Sequence, residues 1–136
     1  KSTIEVRGAD ACPLPIAIAG IALWTGFLYD ADALTQAESL AQEFAALAPI
    51  EDLFDSACKD GLRADLGQPF LAFARELLEI STGGLSRYQA GALKLLEPLR
   101  LLLERGESPG EAVLRAWHSN PTPEAFLKAV AYTLPS

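Results

Sequence analysis

The spacing of apolar and polar residues changes once along the chain, from a period of two near the N-terminus to helical spacing afterwards. Residues 3–7 alternate polar and apolar side chains, which predicts a β-strand with Glu5 and Arg7 on the same face. A single strand is not stable by itself. We therefore expect the other strands of its sheet to belong to a larger protein.

From residue 14 onward, apolar spacing and capping residues divide the chain into six or seven predicted helices. The first three are expected at residues 14–29, from Asp30 or Asp32 to a stop at Pro49, and at residues 51–60 with an end at Gly61. The next two are expected at residues 69–80, ended by Gly83-Gly84, and from Tyr88 to Leu103 with a kink or restart at Pro98. The last begin at the capping box Ser108-Pro109-Gly110-Glu111 and at Thr122-Pro123. The expected fold is mainly α with one N-terminal strand: a single segment, residues 1–136, with its helical region at 14–134.

The first predicted helix lies in an uncharged stretch, residues 11–29. Pro13 and Pro15 shorten its helical part to about 14 residues, whereas roughly 20 are needed to span a bilayer. Asp30 and Asp32 follow it, rather than basic residues. The pattern favours a core helix that is buried on every side, and a membrane-associated chain is the weakest alternative.

Composition narrows the classes of partner and the compartment. The chain has 136 residues, with 11 Lys and Arg against 18 Asp and Glu, and a formal charge of −7. This excess of negative charge argues against binding to nucleic acid or to an anionic membrane. Cys12 and Cys58 are too few for a disulfide scaffold, so we expect buried, reduced thiols in a cytoplasmic protein, with a disulfide as the alternative.

The segment around Glu5, Arg7 and Asp10 is the strongest candidate for chemistry. The two strand residues lie roughly 7 Å apart on one face. A carboxylate there could hold Mg²⁺ while the guanidinium binds phosphate oxygens, a pair that suits phosphoryl transfer. Asp10 could orient the arginine or an amine. The alternative is that Glu5 and Arg7 form an ordinary exposed strand face with a weak ion pair. Judged by spacing alone, this alternative is favoured.

Several segments in register strengthen the chemical interpretation. Residues 4–10 (IEVRGAD) and 23–30 (LWTGFLYD) resemble two blocks of the plant and proteobacterial type of glutamate–cysteine ligase, at the same spacing. Further segments resemble the C-terminal helices of that family, at residues 59–62, 84–87, 96–99 and 106–111. The resemblance runs from about residue 4 to residue 132. It implies the C-terminal part of an α+β ligase whose fold is related to glutamine synthetase.

What the resemblance implies is an enzyme of glutathione biosynthesis that uses ATP and Mg²⁺. Such enzymes phosphorylate the γ-carboxylate of glutamate and then let the amine of cysteine displace phosphate. By position, Glu5 would bind Mg²⁺ and Arg7 would be catalytic at the transferred phosphoryl group. Tyr29 would bind substrate at the border of its pocket, with packing in the core as the alternative, and Asp10 is expected to bind substrate. Arg87 matches a family arginine that could reach the site, and we expect it instead at the helix surface. Residues 11–15 lack the glycines and basic residues that commonly follow in the family.

The expected partners are glutamate, cysteine, ATP and the N-terminal remainder of the ligase, with no nucleic acid and no membrane. The glutamate-rich strands and nucleotide loop of the family precede this segment, so we expect the isolated 136 residues to be inactive. The many apolar helices are compatible with a homodimer. Two alternatives remain: a related carboxylate–amine ligase that uses another amine, or a non-catalytic helical module in which Glu5 and Arg7 tolerate alanine.

Overall fold

The computed structural model describes residues 12–65 and 69–130, and these ranges are mainly helical, as predicted. The described residues form seven α-helices: α1 Leu14–Leu28, α2 Ala31–Ala45, α3 Ile50–Asp60, α4 Phe70–Gln89, α5 Glu97–Arg105, α6 Pro109–Ser119 and α7 Pro123–Val130. Two 3₁₀ segments, Gly61–Arg63 and Ala90–Leu96, precede and follow α4. The predicted strand at residues 3–7 lies outside the described residues.

Local capping chemistry confirms three predicted helix boundaries. An oxygen of Asp30 accepts the backbone N–H of Ala33 at 2.8 Å and begins α2. Ser108 and Glu111 form the complete capping box at α6, with 3.3 Å from the Glu111 N–H to the Ser108 hydroxyl and 2.7 Å for the return bond. The return bond, donated by the Ser108 backbone N–H to the Glu111 carboxylate, is the largest of the causes that lower the pKa of Glu111. Gly61 ends α3 at a φ of 58°.

Helix α4 is longer than the sequence predicts. The expected end at Gly83-Gly84 is wrong, because α4 continues without a break to Gln89. At Gly84, α4 crosses α1 so closely that a β-carbon would clash with the carbonyl oxygen of Gly26 and press against the side chain of Ala33. The glycine therefore permits a contact between helices instead of ending one.

A buried hydrogen bond reinforces the crossing of α1 and α4. Ser81 is fully buried, and its hydroxyl donates to the carbonyl oxygen of Leu23 at 2.8 Å, which satisfies the polar group inside the core. A β-carbon at Gly26 would clash with the backbone and hydroxyl oxygens of Ser81. Apolar side chains pack beside this contact and form the buried core: Ala22, Leu78, Leu85 and Leu96. The crossing is thus fixed by both shape and polarity.

Smaller contacts attach the remaining helices. Stacking of Phe44 on Phe73, with ring centroids 4.1 Å apart, joins α2 to the start of α4. Pro98 lies in the first turn of α5, so the restart is the predicted alternative that the structure adopts. Helices α6 and α7 pack chiefly on each other, with Trp117 edge-on to Phe126.

Two predictions about burial are wrong. Helix α1 is buried on one face only, because α2, α4, α5 and the second 3₁₀ segment all lie on that side. Ile21 is 68% exposed and Trp24 is 43% exposed on the opposite face. Cys58 is exposed and Cys12 is half-buried, and both are free thiols. Within residues 12–65 and 69–130, no single helix is long and apolar enough to cross a membrane; only α1 and α2 together pass that test, as a pair bent by 103°.

Replacing Gly84 by alanine tests the α1–α4 crossing. We expect Gly84→Ala to lower the free energy of unfolding by about 2 kcal/mol or more, because the new methyl group meets backbone that cannot rotate away. Gly83→Ala is the matched control. Its β-carbon would lie 3.6 Å from the flexible end of Arg87, so helix propensity should leave stability unchanged or raise it by about 0.5–1 kcal/mol. Equal effects of the two changes in urea unfolding would contradict the crossing.

Candidate functional site

Of the four predicted site residues, the structure describes one. Glu5, Arg7 and Asp10 lie outside the described residues, so their roles remain predictions. Tyr29 is described, at the C-terminal end of α1. The geometry of the candidate site is therefore the geometry around Tyr29.

The ring of Tyr29 stacks on the ring of Tyr88, from the last turn of α4. Their centroids are 4.6 Å apart and the ring planes differ by 27°. Both side chains are largely exposed, so the pair forms an aromatic platform at the surface rather than part of the core. Neither ring packs in the centre of the molecule, so the alternative that Tyr29 packs in the core is wrong.

The residue after Tyr29 and the residue before Tyr88 form an ion pair. Arg87 donates two hydrogen bonds of 2.7 Å to the two carboxylate oxygens of Asp30, 57 residues away in sequence. Such a two-bond pair fixes orientation as well as distance. Because Asp30 also caps α2 through Ala33, its side chain is held from two directions and is only 14% exposed.

This ion pair shifts the ionisation of both partners. Hydrogen bonding to Arg87, supported by the Ala33 N–H, lowers the pKa of Asp30 well below its ordinary value of 3.8. The same contact raises the pKa of Arg87. The carboxylate is therefore held charged, and it serves to lock the junction between α1 and α2 against the end of α4.

Sequence reasoning missed the structural role of Arg87 and Tyr88. Arg87 was expected simply at a helix surface, and its side chain is indeed 51% exposed, but its guanidinium is committed to Asp30. One signal in the sequence could have indicated the pair. Asp30 and Arg87 are the last residues of two segments, 23–30 and 84–87, that both resemble blocks of the family, and they carry opposite charges. Together, Tyr29 and Asp30 meet Tyr88 and Arg87 as two adjacent pairs.

A second polar cluster lies between α6 and the first 3₁₀ segment. Arg63 pairs with Glu111 at 2.7 Å, and Arg115 pairs with Glu107 at 2.7 Å. His118 completes the lining of a cavity of about 530 Å³. Because each arginine is paired with a carboxylate at this cavity, the cluster's formal charges balance, and its observed role is to attach α6 to the preceding segments.

The metal prediction concerns residues that the structure does not describe. Within residues 12–65 and 69–130, no three His, Cys, Asp or Glu side chains come together in a group that could hold a metal ion. The residue expected to bind Mg²⁺ is Glu5.

Comparison with known proteins shows which family the sequence matches. The model of "Glutamate-cysteine ligase family 2 (GCS2)" matches residues 1–127, nearly the whole chain. The chain belongs to this family. The matched range includes Tyr29 and Tyr88, and the match confirms the resemblance stated from sequence.

Curated relatives agree with the family match, at low identity. "Glutamate–cysteine ligase, chloroplastic" from Medicago truncatula is 29% identical over 119 residues, which cover 87% of this chain and 23% of the relative. "Glutamate–cysteine ligase A, chloroplastic" from Oryza sativa subsp. indica is 26% identical over 127 residues, with 88% of this chain and 24% of the relative covered. The chain thus spans about a quarter of the length of these relatives. No solved structure gives a significant match.

The Asp30–Arg87 pair of this family-2 segment predicts a dependence of stability on pH. Because the pKa of folded Asp30 lies below its ordinary value of 3.8, the pair stabilises the fold above that pH and loses its contribution as the pH falls toward the lowered pKa. Asp30→Asn retains a good helix cap but removes the charge. We expect the variant to unfold more easily than wild type at pH 7, and the difference to shrink between pH 5 and pH 2 in urea unfolding.

Asp32→Asn is the matched control for this measurement. It removes the same charge from the first turn of the same helix but leaves the two bonds from Arg87 to Asp30 in place. A gap between Asp30→Asn and wild type that stays constant over the whole pH range, or an equal effect of Asp32→Asn, would contradict the role assigned to the pair.

Proposed function

We propose that this chain forms the C-terminal part of an ATP-dependent glutamate–cysteine ligase. The observation that carries the proposal is the family match over residues 1–127, supported by relatives named glutamate–cysteine ligase. In the proposed reaction, a γ-carboxylate oxygen of glutamate attacks the γ-phosphorus of ATP and releases ADP. The cysteine amine then attacks the carbonyl carbon of the acyl phosphate, the bond from that carbon to the phosphate oxygen breaks, and inorganic phosphate leaves as γ-glutamylcysteine forms.

The predicted strand supplies charged groups that suit the first step. Glu5 would provide oxygen ligands to Mg²⁺, which offsets negative charge on the phosphates of ATP. Arg7, on the same strand face, would bind oxygens of the phosphoryl group as it transfers. Asp10 would bind the amine of the cysteine substrate or orient Arg7. A single carboxylate provides only part of the roughly six oxygen ligands that Mg²⁺ prefers, so ATP and the rest of the ligase would provide the others.

Tyr29 is proposed to border the substrate pocket. Its exposed ring is held by Tyr88, and its neighbour Asp30 is held by Arg87. A ring that is already oriented loses less conformational freedom when substrate binds against it. The stacked pair therefore suits a pocket wall that must keep its position without being buried in a core.

The remainder of the ligase is a proposed partner in this activity. Because the chain spans about a quarter of the length of its relatives, most of the catalytic sheet and the nucleotide site would come from elsewhere in the ligase. We accordingly expect the 136-residue chain to release no phosphate from ATP when it is assayed alone.

The central test is phosphate release that depends on ATP, glutamate and cysteine, measured on the complete ligase that contains this segment. Glu5→Gln and Arg7→Ala should each lower turnover by at least about a hundredfold, because each removes charge that stabilises the transferring phosphoryl group. Glu43→Gln and Arg105→Ala, the same changes at exposed positions of α2 and α5, are the controls and should leave turnover unchanged.

The amine supplied in this assay distinguishes the proposal from its alternatives. Turnover with another amine but not with cysteine would move the chain to the related carboxylate–amine ligases. Absence of turnover with every amine, or indifference to both substitutions in the predicted strand, would contradict a catalytic role and favour a helical module.

Substitutions in the aromatic platform test the role of Tyr29. Tyr29→Ala should raise the KM for glutamate or cysteine by about tenfold with a smaller effect on kcat, because a wall of the pocket is lost. Tyr88→Ala should raise the same KM less, and Tyr29→Phe should retain most of the wild-type value because it preserves the stacking. Phe54→Ala removes an equally exposed aromatic ring from α3 as a control. Wild-type KM values in both alanine variants of the platform would contradict this role.

A further inference from the structure

The outer face of α1, opposite the core, forms an open apolar groove. Its volume is about 300 Å³, and it is lined by Ala17, Gly20, Ile21, Trp24, Thr25, Leu28 and Tyr29. Ile21 is more exposed than any other large apolar side chain of the described residues, at 68%. Contiguous apolar surface of this kind commonly marks a site of protein contact.

The polar chemistry of the outer face shows what kind of surface could cover it. Residues 14–28 carry no charged side chain. The hydroxyl of Thr25 already donates to the carbonyl oxygen of Ile21 at 2.8 Å, so it needs no donor or acceptor from a partner. A complementary surface would therefore be apolar and would bind through burial rather than through ion pairs.

Gly20 leaves open space on the outer face of α1. A β-carbon at Gly26 or Gly84 would clash inside the chain, whereas one at Gly20 would meet nothing within 4 Å. Glycine in the middle of a helix is less stable than alanine, and no contact within the described residues requires it here. The glycine therefore permits a close approach from outside the segment, although Gly91 in the second 3₁₀ segment also faces open space.

We propose that the outer face of α1 is the surface on which this segment docks against the remaining part of the ligase. The inference rests on the proposed function, because it identifies the contact that would join the two parts. The comparison of lengths supports this occupant, since about three quarters of each relative lies outside the matched segment. The groove ends at Tyr29, so docking would bring the proposed pocket wall to the edge of the interface.

A second copy of the chain fits the outer face less well. The chain carries a formal charge of −7, so two copies would repel each other, and the uncharged groove offers no opposite charge to offset this. Self-association through the outer face of α1 would overturn the proposal.

Protection of an introduced thiol measures docking directly. Ile21→Cys is placed in a background with Cys12→Ala and Cys58→Ala, and its maleimide labelling is followed by peptide mass spectrometry. In the complete ligase we expect labelling at least about tenfold slower than in the 136-residue chain, because docking limits access to locally opened states. Phe54→Cys, at 67% exposure on α3, is the matched control and should label at similar rates in both proteins.

A larger side chain in the groove provides a second measurement. Gly20→Leu should leave the thermal stability of the 136-residue chain unchanged or higher, because its β-carbon enters open space. In the complete ligase, Gly20→Leu should obstruct docking and so lower the unfolding temperature. Combined with Ile21→Cys, it should make the labelling of that thiol severalfold faster. Gly91→Leu, at another glycine with open space, should not change either property of the complete ligase.

The outcomes separate docking from catalysis. Equal labelling rates of Ile21→Cys in the two proteins would overturn the proposal. Protection of Ile21→Cys that appears in the 136-residue chain alone and grows with its concentration would also overturn it, because the groove would then bind a second copy. Protection in a ligase that shows no cysteine-dependent phosphate release would support docking and contradict only the proposed function. Turnover in a ligase with rapidly labelled Ile21→Cys would contradict only the docking.

Discussion

The close crossing of α1 and α4 is the contact on which the rest of the described structure depends. Gly26 and Gly84 let the two helices approach so closely that a β-carbon at either position would clash with the opposite helix, and the buried hydroxyl of Ser81 bonds across the contact. The crossing also fixes where each helix ends relative to the other. Tyr29 consequently meets Tyr88, and Asp30, which begins α2, meets Arg87. Packing in the core thus determines the geometry of an exposed aromatic platform and of the ion pair beside it.

The features that the sequence predicted correctly are those that depend on neighbouring residues. Asp30, Ser108 and Gly61 cap helices through bonds or backbone angles within a few positions, so their roles could be inferred locally. The role of Gly84 could not, because it is set by Gly26, and the same holds for the pairing of Arg87 with a carboxylate 57 residues away. The single-sided burial of α1 was missed for a related reason: an uncharged helix can be covered by its own chain or by another part of the protein.

The candidate site divides in the same way. Tyr29 was predicted from its place in a family block, and the structure adds Tyr88 and Arg87 as the residues that hold it and its neighbour. Glu5, Arg7 and Asp10 lie outside the described residues, and the partners of the predicted strand are expected from outside the chain, so no reasoning about local spacing could establish their surroundings. Membership of glutamate–cysteine ligase family 2 gives these separate features one interpretation. In the proposed ligase, the predicted strand would bring phosphate- and metal-binding groups, Tyr29 would form a pocket wall, and the outer face of α1 would join the segment to the rest of the enzyme.

Transfer of labelled oxygen in the complete ligase tests the proposed chemistry most directly. With glutamate labelled with ¹⁸O in its γ-carboxylate, attack of that carboxylate on ATP places a labelled oxygen between carbon and phosphorus, and displacement by the amine leaves it on phosphate. The account predicts that phosphate released in the presence of cysteine carries one ¹⁸O atom for each γ-glutamylcysteine formed. Phosphate that is released without the label would show that the carboxylate is never phosphorylated, and it would contradict the account.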